Sequence, residues 1–152
     1  MYSGNLSTIG VEGKEYFWEY IYEWIDDHDE IKIAFRVNFI HEVDKEKWFD
    51  FKLLPVNDDT LKVTDMFIGK DEHLKTGLPE ALILLSRKIF KKSIISSTNF
   101  QDYKISNREW RSEKATKVWQ RLVKKGHAVY VEISDTYQLK DNLNWLQPQK
   151  FL

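Results

Sequence analysis

One loop of the sequence combines residue types that suit the binding of a phosphate. It lies in LKTGLPEALILL (74–85), where Gly77 precedes Pro79 at the start of an apolar helical pattern. A strand that leads through a glycine into a helix directs several main-chain N–H groups to one point, with the positive helix end behind them. The residues whose amides we expect to form this anion site are Lys75, Thr76, Gly77 and Leu78. The alternative is that the glycine and the proline only make a tight turn between strand and helix.

Side chains that bind metals are scattered along the chain. The four histidines, at positions 28, 41, 73 and 127, show no metal-ligand spacing, so we predict no zinc site. The sequence contains no cysteine, which excludes disulfides, thiolate metal sites and a cysteine nucleophile.

The N-terminal region predicts one helix, over residues 11–27. Its apolar residues recur at three- and four-residue spacing, which forms a single face: Phe17, Ile21, Trp24 and Ile25. Its acidic residues form a second stripe: Glu12, Glu15, Glu19 and Glu23. Such a stripe would attract a basic molecule by long-range electrostatics, or would be an ordinary solvated face.

The middle of the chain predicts a sheet with a helical crossover. Extended segments at 31–40, 47–56 and 61–69 are separated by short polar connectors, which is typical of an antiparallel meander. A deeply packed helix is expected over 79–91, and SIISST (93–98) predicts a further strand. Strand, loop, helix and strand within about 38 residues match the size of a right-handed βαβ unit with parallel strands.

The next segment predicts a second helix. Ser106 and Glu109 have the spacing of a capping box, and the apolar pattern then runs to about Lys125. Gly126 follows at the position where a glycine commonly ends a helix.

The remaining elements complete one mixed α/β domain over residues 1–152, with its core at about 11–140. A strand at 127–133 is followed by the hairpin partner TYQL (136–139), and residues 141–152 are expected to be a loosely docked tail. The element order predicts a central, mostly antiparallel sheet flanked by helices, with one parallel pair. With TYQL at a sheet edge, a homodimer is plausible.

Charge is distributed unevenly along the chain. Residues 1–86 carry nine Lys/Arg and eighteen Asp/Glu, whereas residues 87–125 carry twelve Lys/Arg and three Asp/Glu. The basic segment also contains Tyr103 and Trp110, and basic residues interleaved with aromatic ones are typical of surfaces that bind single-stranded nucleic acids. No nucleic-acid-binding motif is present. The sequence shows no membrane span and no signal peptide, so we expect a cytoplasmic protein that does not bind membranes.

The element order and two local motifs resemble the GNAT N-acetyltransferase superfamily over roughly residues 11–140. The first motif is LKTGLPEALILL (74–85), at the place of the family's phosphate-binding loop, with Gly77 as its central glycine. The second is SEKATKVWQRLVKKGHAVY (112–130), in which Ala115 and Gly126 match the family's later helix and the glycine after it. Leu74, Pro79, Ser112 and Trp119 depart from the residues usual at their positions in these motifs.

The resemblance implies an enzyme that binds acetyl-CoA and transfers the acetyl group to an amine of a small molecule or protein by direct attack. It implies a general base at Asp65, with His41, Glu72 and His73 as other candidates, although Asp65 would equally be a polar side chain on the solvent face of its strand. The candidate acids for the departing thiolate are Tyr130 and Tyr137. The cofactor contacts it implies are Phe67, Ile68, Lys75, Thr76, Gly77, Leu78, Ser112 and Trp119. Because an indole is too weak an acid to replace the phenol that many members have where Trp119 stands, the alternative is a catalytically inactive GNAT-like interaction domain.

Overall fold

The computed structural model describes residues 1–66, 73 and 75–141, which form one eight-stranded sheet and two helices. The strands are β1 (Tyr2–Ile9), β2 (Glu15–Asp27), β3 (Glu30–Phe39), β4 (Phe49–Asn57), β5 (Thr60–Met66), β6 (Ser93–Ser96), β7 (Ala128–Val131) and β8 (Thr136–Leu139). The helices are α1 (Leu78–Phe90) and α2 (Glu113–Lys124). The order of strands in the sheet is β1-β2-β3-β4-β5-β6-β8-β7.

The sheet is antiparallel except at one pair of strands. Among the described residues, β5 and β6 alone run parallel, from Thr60 opposite Ser93 to Val63 opposite Ser96. The helix α1 lies between these two strands in the sequence, as expected for a βαβ crossover. The predictions of a mixed α and β fold and of a mostly antiparallel sheet with one parallel pair are confirmed.

The predicted helix over residues 11–27 is wrong, because the 13-residue strand β2 occupies most of this segment. Its aromatic residues alternate, so Tyr16, Trp18, Tyr20 and Tyr22 share the face that packs on the core. Aromatic side chains favour strands, and β2 is hydrogen-bonded to a strand on each side. This pairing stabilises the strand more than the helical spacing of the apolar residues would stabilise a helix. The acidic residues Glu15, Glu19 and Glu23 therefore lie on the opposite face of a strand.

The strand β1 was absent from the predicted elements. Its eight residues include one buried side chain, Thr8, so its apolar pattern is weak, and pairing with β2 over the full length stabilises it. A two-residue turn at His28 and Asp29, with φ of 52° and 70°, then joins β2 to β3. Positive φ at both residues is what a tight hairpin of this kind requires.

The other predicted elements are found within a few residues of their expected bounds. The strands β3 to β6, both helices and the β7–β8 hairpin are all present, although β7 ends at Val131. The prediction that TYQL lies at a sheet edge is wrong, because β8 lies between β6 and β7. The edges are β1 and β7. Positions 67–69 of the third predicted strand and residues 142–152 of the predicted tail lie outside the described residues.

The core lies between the sheet and the two helices. It is built from the inward faces of β2 to β6 and β8 and from the apolar faces of α1 and α2, which contact each other. The largest fully buried side chains are Trp18, Phe35, Phe49, Phe51 and Trp119. The long polar loop between β6 and α2, which includes a short 3-10 helix at Gln101–Tyr103, is anchored to β5 through Lys62.

Candidate functional site

A cavity opens where the parallel strands β5 and β6 stop pairing. The last paired residues are Val63 and Ser96, and β5 continues to Met66 beyond them. This interstrand cavity has a volume of about 420 Å³. Its lining residues are Asp50, Val63, Thr64, Asp65, Met66, Ser97, Trp110, Arg111, Ser112, Lys114, Ala115 and Trp119.

Arg111 fixes the chain on the β6 side of the interstrand cavity. Its guanidinium is buried, donates to the carbonyl oxygens of Ser97 and Asp135 at 2.8 Å each, and forms an ion pair with the Asp135 carboxylate. The Ser97 hydroxyl donates in turn to the Val63 carbonyl oxygen at 2.6 Å. The wall of the cavity is therefore held by buried hydrogen bonds after the strand pairing ends.

The N-terminus of α2 faces the interstrand cavity. The Ser112 hydroxyl oxygen accepts the Ala115 N–H at 3.1 Å, which makes Ser112 the N-cap, and both residues line the cavity. The predicted capping box at Ser106 and Glu109 is wrong, because Glu109 is buried in the preceding loop, where it accepts hydrogen bonds from Lys62 and from two main-chain N–H groups. The predicted cofactor residue Ser112 thus does lie at this cavity.

Trp119 forms part of the inner wall of the interstrand cavity. It is 1% exposed, and its ring is stacked on Tyr137 of β8 with the ring centroids 6.1 Å apart. The indole therefore gives the cavity an apolar wall, at the position where the resemblance implied a cofactor contact.

The Gly77 loop has the left-handed geometry expected of its glycine, with φ of 80°, and leads directly into α1. Its hydrogen bonds run mainly to β1 and the segment after it. The Lys75 carbonyl oxygen accepts the Val11 N–H, the Thr76 carbonyl oxygen accepts the Thr8 hydroxyl, and the Leu78 N–H donates to the Thr76 hydroxyl oxygen. The Leu78 amide is thereby already bonded, so the loop offers fewer amides than the four predicted.

A basic groove lies between the Gly77 loop and α2, with a volume of about 390 Å³. Its lining residues are Ile9, Gly10, Val11, His73, Lys75, Gly77, Pro79, Glu80, Lys114, Lys117, Val118, Arg121 and Lys125. The one carboxylate among them, on Glu80, is bonded to Arg121 at 2.7 Å. Lys114, in the first turn of α2, lines both this groove and the interstrand cavity.

Asp65 lines both the interstrand cavity and a third space. The Asp65 carboxylate accepts hydrogen bonds from Lys32 at 3.2 Å and from the Thr64 hydroxyl at 2.8 Å. Burial opposes the charge on the Lys32 ammonium, but the carboxylates of Asp65 and Asp27 outweigh it and raise the pKa of Lys32 above its usual value. The Lys32 ammonium is therefore charged at neutral pH.

The third space, which we call the charged cavity, has a volume of about 300 Å³. Its lining residues are Asp27, His28, Glu30, Lys32, Lys52, Leu54, Thr64, Asp65, Ser106, Arg108, Glu109 and Trp110. Three of these also line the interstrand cavity: Thr64, Asp65 and Trp110. Sequence reasoning did not find the pairing of Lys32 with Asp65, because these residues lie on strands that are separated in the sheet by β4.

Several predicted site residues lie elsewhere. Tyr130 is on the edge strand β7, where its hydroxyl donates to Asp135 at 2.8 Å, and it is not among the described residues that line the interstrand cavity. The hydrogen bond to Asp135 raises the pKa of Tyr130. His73 is buried against the rings of Trp18, Phe39 and Phe49. The predicted cofactor residues Phe67 and Ile68 lie outside the described residues.

The described residues contain neither a metal-binding cluster nor a helix that could span a membrane. Among the described residues, no group of three or more histidine or carboxylate side chains is arranged to hold a metal ion. Neither α1 nor α2, the helices of the described part, has the length and apolar character needed to cross a bilayer. No family model, curated protein or solved structure matches the chain.

Proposed function

We propose that this protein is a GNAT-like N-acetyltransferase that binds acetyl-CoA along α2 and transfers the acetyl group to an amine. One observation carries the proposal: Lys114, in the first turn of α2, lines both the basic groove and the interstrand cavity. A molecule with phosphates at one end and a thioester at the other can therefore occupy both spaces. The absence of cysteine means that no disulfide requires an oxidising compartment, and a cytoplasmic location is part of the proposal.

The phosphate end of the cofactor would bind mainly to side chains. Lys114, Lys117 and Lys125 line the groove together with Lys75, and clustered cations of this kind attract phosphates at long range. The Leu78 N–H already donates to the Thr76 hydroxyl oxygen, so the loop offers fewer amides to the groove than the sequence predicted. Lysine charge would then supply most of the attraction.

The thioester would lie in the interstrand cavity beside the N-terminus of α2. A helix N-terminus carries a partial positive charge, which stabilises the negative charge that develops on a carbonyl oxygen under attack. The buried indole of Trp119 excludes water from one side. These features would polarise the thioester carbonyl group without a metal.

Asp65 would act as the general base. The amine nitrogen attacks the thioester carbon, the carbon–sulfur bond breaks, and the proton leaving the amine passes to the Asp65 carboxylate. Lys32 donates a hydrogen bond to this carboxylate at 3.2 Å and so fixes its position. The departing thiolate takes its proton from water, since the Tyr130 hydroxyl is already bonded to Asp135.

Calorimetric titration with acetyl-CoA tests the binding step. We expect heat and a thermal shift with the wild-type protein, and at least tenfold weaker binding for Lys117→Glu combined with Lys125→Glu. Lys124→Glu is the control, because it reverses one charge on α2, as each substitution of the pair does, at a residue outside the groove lining. No binding at millimolar acetyl-CoA would refute the proposal, and so would equal losses for the variants and the control.

Asp65→Asn tests the chemical step. Asparagine has nearly the shape of aspartate and does not accept a proton at neutral pH, so we expect acetyl transfer to fall at least 100-fold while acetyl-CoA affinity stays within about twofold. Transfer at the wild-type rate would remove Asp65 from the mechanism.

A second candidate function is a catalytically inactive GNAT-like domain that binds a protein partner. It is favoured by Trp119, which is buried where many family members have a phenol, and by the engagement of Tyr130 with Asp135. Acetyl-CoA binding without acetyl transfer to any amine in a broad panel would support this candidate. Nucleic acid is a less favoured partner, because Arg111 of the basic segment is buried in its ion pair.

A homodimer is also part of the proposal, but through a different strand from the one predicted. The edge strand β1 has eight residues without a charged side chain or a proline, and such edges pair readily with a second copy. Sedimentation velocity of the wild-type protein and of Asn5→Lys, which places a charge in the middle of β1, tests this association.

A further inference from the structure

Trp110 exposes 65% of its surface at the place where two cavities meet. It lines both the interstrand cavity and the charged cavity, together with Asp65. An exposed indole at the mouth of a cavity offers a large flat apolar surface to whatever enters it.

The position of Trp110 is fixed by its neighbours in the chain. Glu109, which precedes it, is 8% exposed and forms a buried ion pair with Lys62 at 2.9 Å. Arg111, which follows it, is also 8% exposed and forms the ion pair with Asp135 at 2.8 Å. The backbone is therefore held on both sides of an exposed side chain, which pre-organises the indole as a contact surface.

The charges of the charged cavity are balanced. Carboxylates on Asp27, Glu30 and Asp65 alternate with the cations of Lys32, Lys52 and Arg108. These six groups form ion pairs with one another, and the fourth lining carboxylate, on Glu109, is paired with Lys62. Among the described residues, the cavity therefore has no unpaired carboxylate that would select a polyamine. Its volume of about 300 Å³ is at the lower end of small-molecule sites.

We propose that the acceptor is a small amine that carries an aromatic ring, with the ring stacked on Trp110 and the amine directed to Asp65. This inference rests on the proposed function, because it assigns the acceptor of that same site. Trp110 is then the residue that determines acceptor specificity.

Binding measurements with a matched pair of amines test the inference without requiring turnover. The probes are 2-phenylethylamine and 2-cyclohexylethylamine, which have the same carbon skeleton and differ in aromaticity. Aromatic pairs contribute about 0.5–1.5 kcal/mol beyond their buried area, so we expect the phenyl compound to bind several-fold more tightly to the wild-type protein. Trp110→Ala should weaken its binding about tenfold, and Trp110→Phe should retain most of it.

Trp24→Ala is the control variant, because Trp24 is 55% exposed on β2 and does not line these cavities. It should leave the affinity for the phenyl compound within twofold. Equal affinities for the two amines, or equal effects of Trp110→Ala and Trp24→Ala, would overturn the inference. Acetyl-CoA affinity measured on the same proteins separates the two proposals. If the wild-type protein does not bind acetyl-CoA, the transferase proposal is refuted. The affinities for the two amines alone decide the role of Trp110.

Discussion

The α-carbon of Gly77 faces the main-chain carbonyl oxygen of Ile9 so closely that a Cβ atom at residue 77 would lie 2.8 Å from that oxygen. The contact joins the end of β1 to the loop that begins α1. Glycine is required here for two reasons, the close approach and the positive φ of 80°. A substitution such as Gly77→Glu would disturb this packing, and so would not test cofactor binding cleanly.

Gly77→Ala should destabilise the protein by about 2–3 kcal/mol, part from the left-handed φ and part from the contact with Ile9. Gly13→Ala measures the cost of the left-handed φ alone, since Gly13 also has a φ of 80° but a Cβ there would meet nothing within 4 Å. Urea denaturation of both variants measures the difference. Equal losses would show that the loop moves away from β1 at no cost.

Ser112→Ala should lower the free energy of unfolding by about 1 kcal/mol, because it removes the acceptor for the Ala115 N–H at the start of α2. Ser106→Ala is the matched control, and its effect should stay within about 0.5 kcal/mol, since the Ser106 hydroxyl accepts only the exposed Arg108 N–H. The same denaturation measurement checks both. A larger loss at Ser106 would restore the capping box that the sequence predicted.

Lys62→Met should destabilise the protein by about 3–5 kcal/mol, because it leaves Glu109 buried without its cation. The side chains of Lys62 and Glu109 are both 3% exposed. Glu30→Gln, which removes a partner from the more exposed pair with Arg108, should change stability by no more than about 1 kcal/mol. Thermal denaturation measures both, and a small effect at Lys62 would mean that solvent reaches Glu109.

Asp135→Asn should reduce the loss of stability in acid. Burial disfavours the Asp135 carboxylate, but hydrogen bonds from Arg111, the Asn99 N–H and Tyr130 outweigh it and lower the pKa of Asp135. A lowered pKa in the folded state contributes stability above the unfolded value of about 3.9, and this contribution is lost as the pH falls through the folded pKa.

Asparagine tolerates the φ of 52° at position 135, so Asp135→Asn removes the charge and one acceptor oxygen without straining the backbone. At pH 7 the variant should be less stable than the wild type by about 3 kcal/mol, and the difference should shrink as the pH falls below about 4. Urea denaturation between pH 2 and pH 7 measures this. Curves that remain parallel would mean that Asp135 titrates alike in the folded and unfolded chains.

The local pattern of the sequence determined most of the elements from residue 30 onward. Alternating apolar residues gave β3, the Pro79 start and helical spacing gave α1, and Gly126 marked the end of α2. In these segments the spacing of the apolar residues and the residues at the ends indicate the same element, so neighbouring residues are enough to specify the structure. The parallel β5–β6 pair followed from the length of the crossover.

The N-terminal strands and the detail of the site were decided by tertiary structure. Segment 15–27 carries both a helical and an alternating apolar pattern, and pairing with β1 and β3 selects the strand. The site depends on contacts between residues that lie far apart in the chain. Gly77 contacts Ile9, and Lys32 pairs with Asp65. The exposed position of Trp110 depends on the ion pairs that Glu109 and Arg111 form with Lys62 and Asp135. Such contacts form only when distant segments meet, because the free energy that stabilises them comes from burial and charge pairing that no single segment provides.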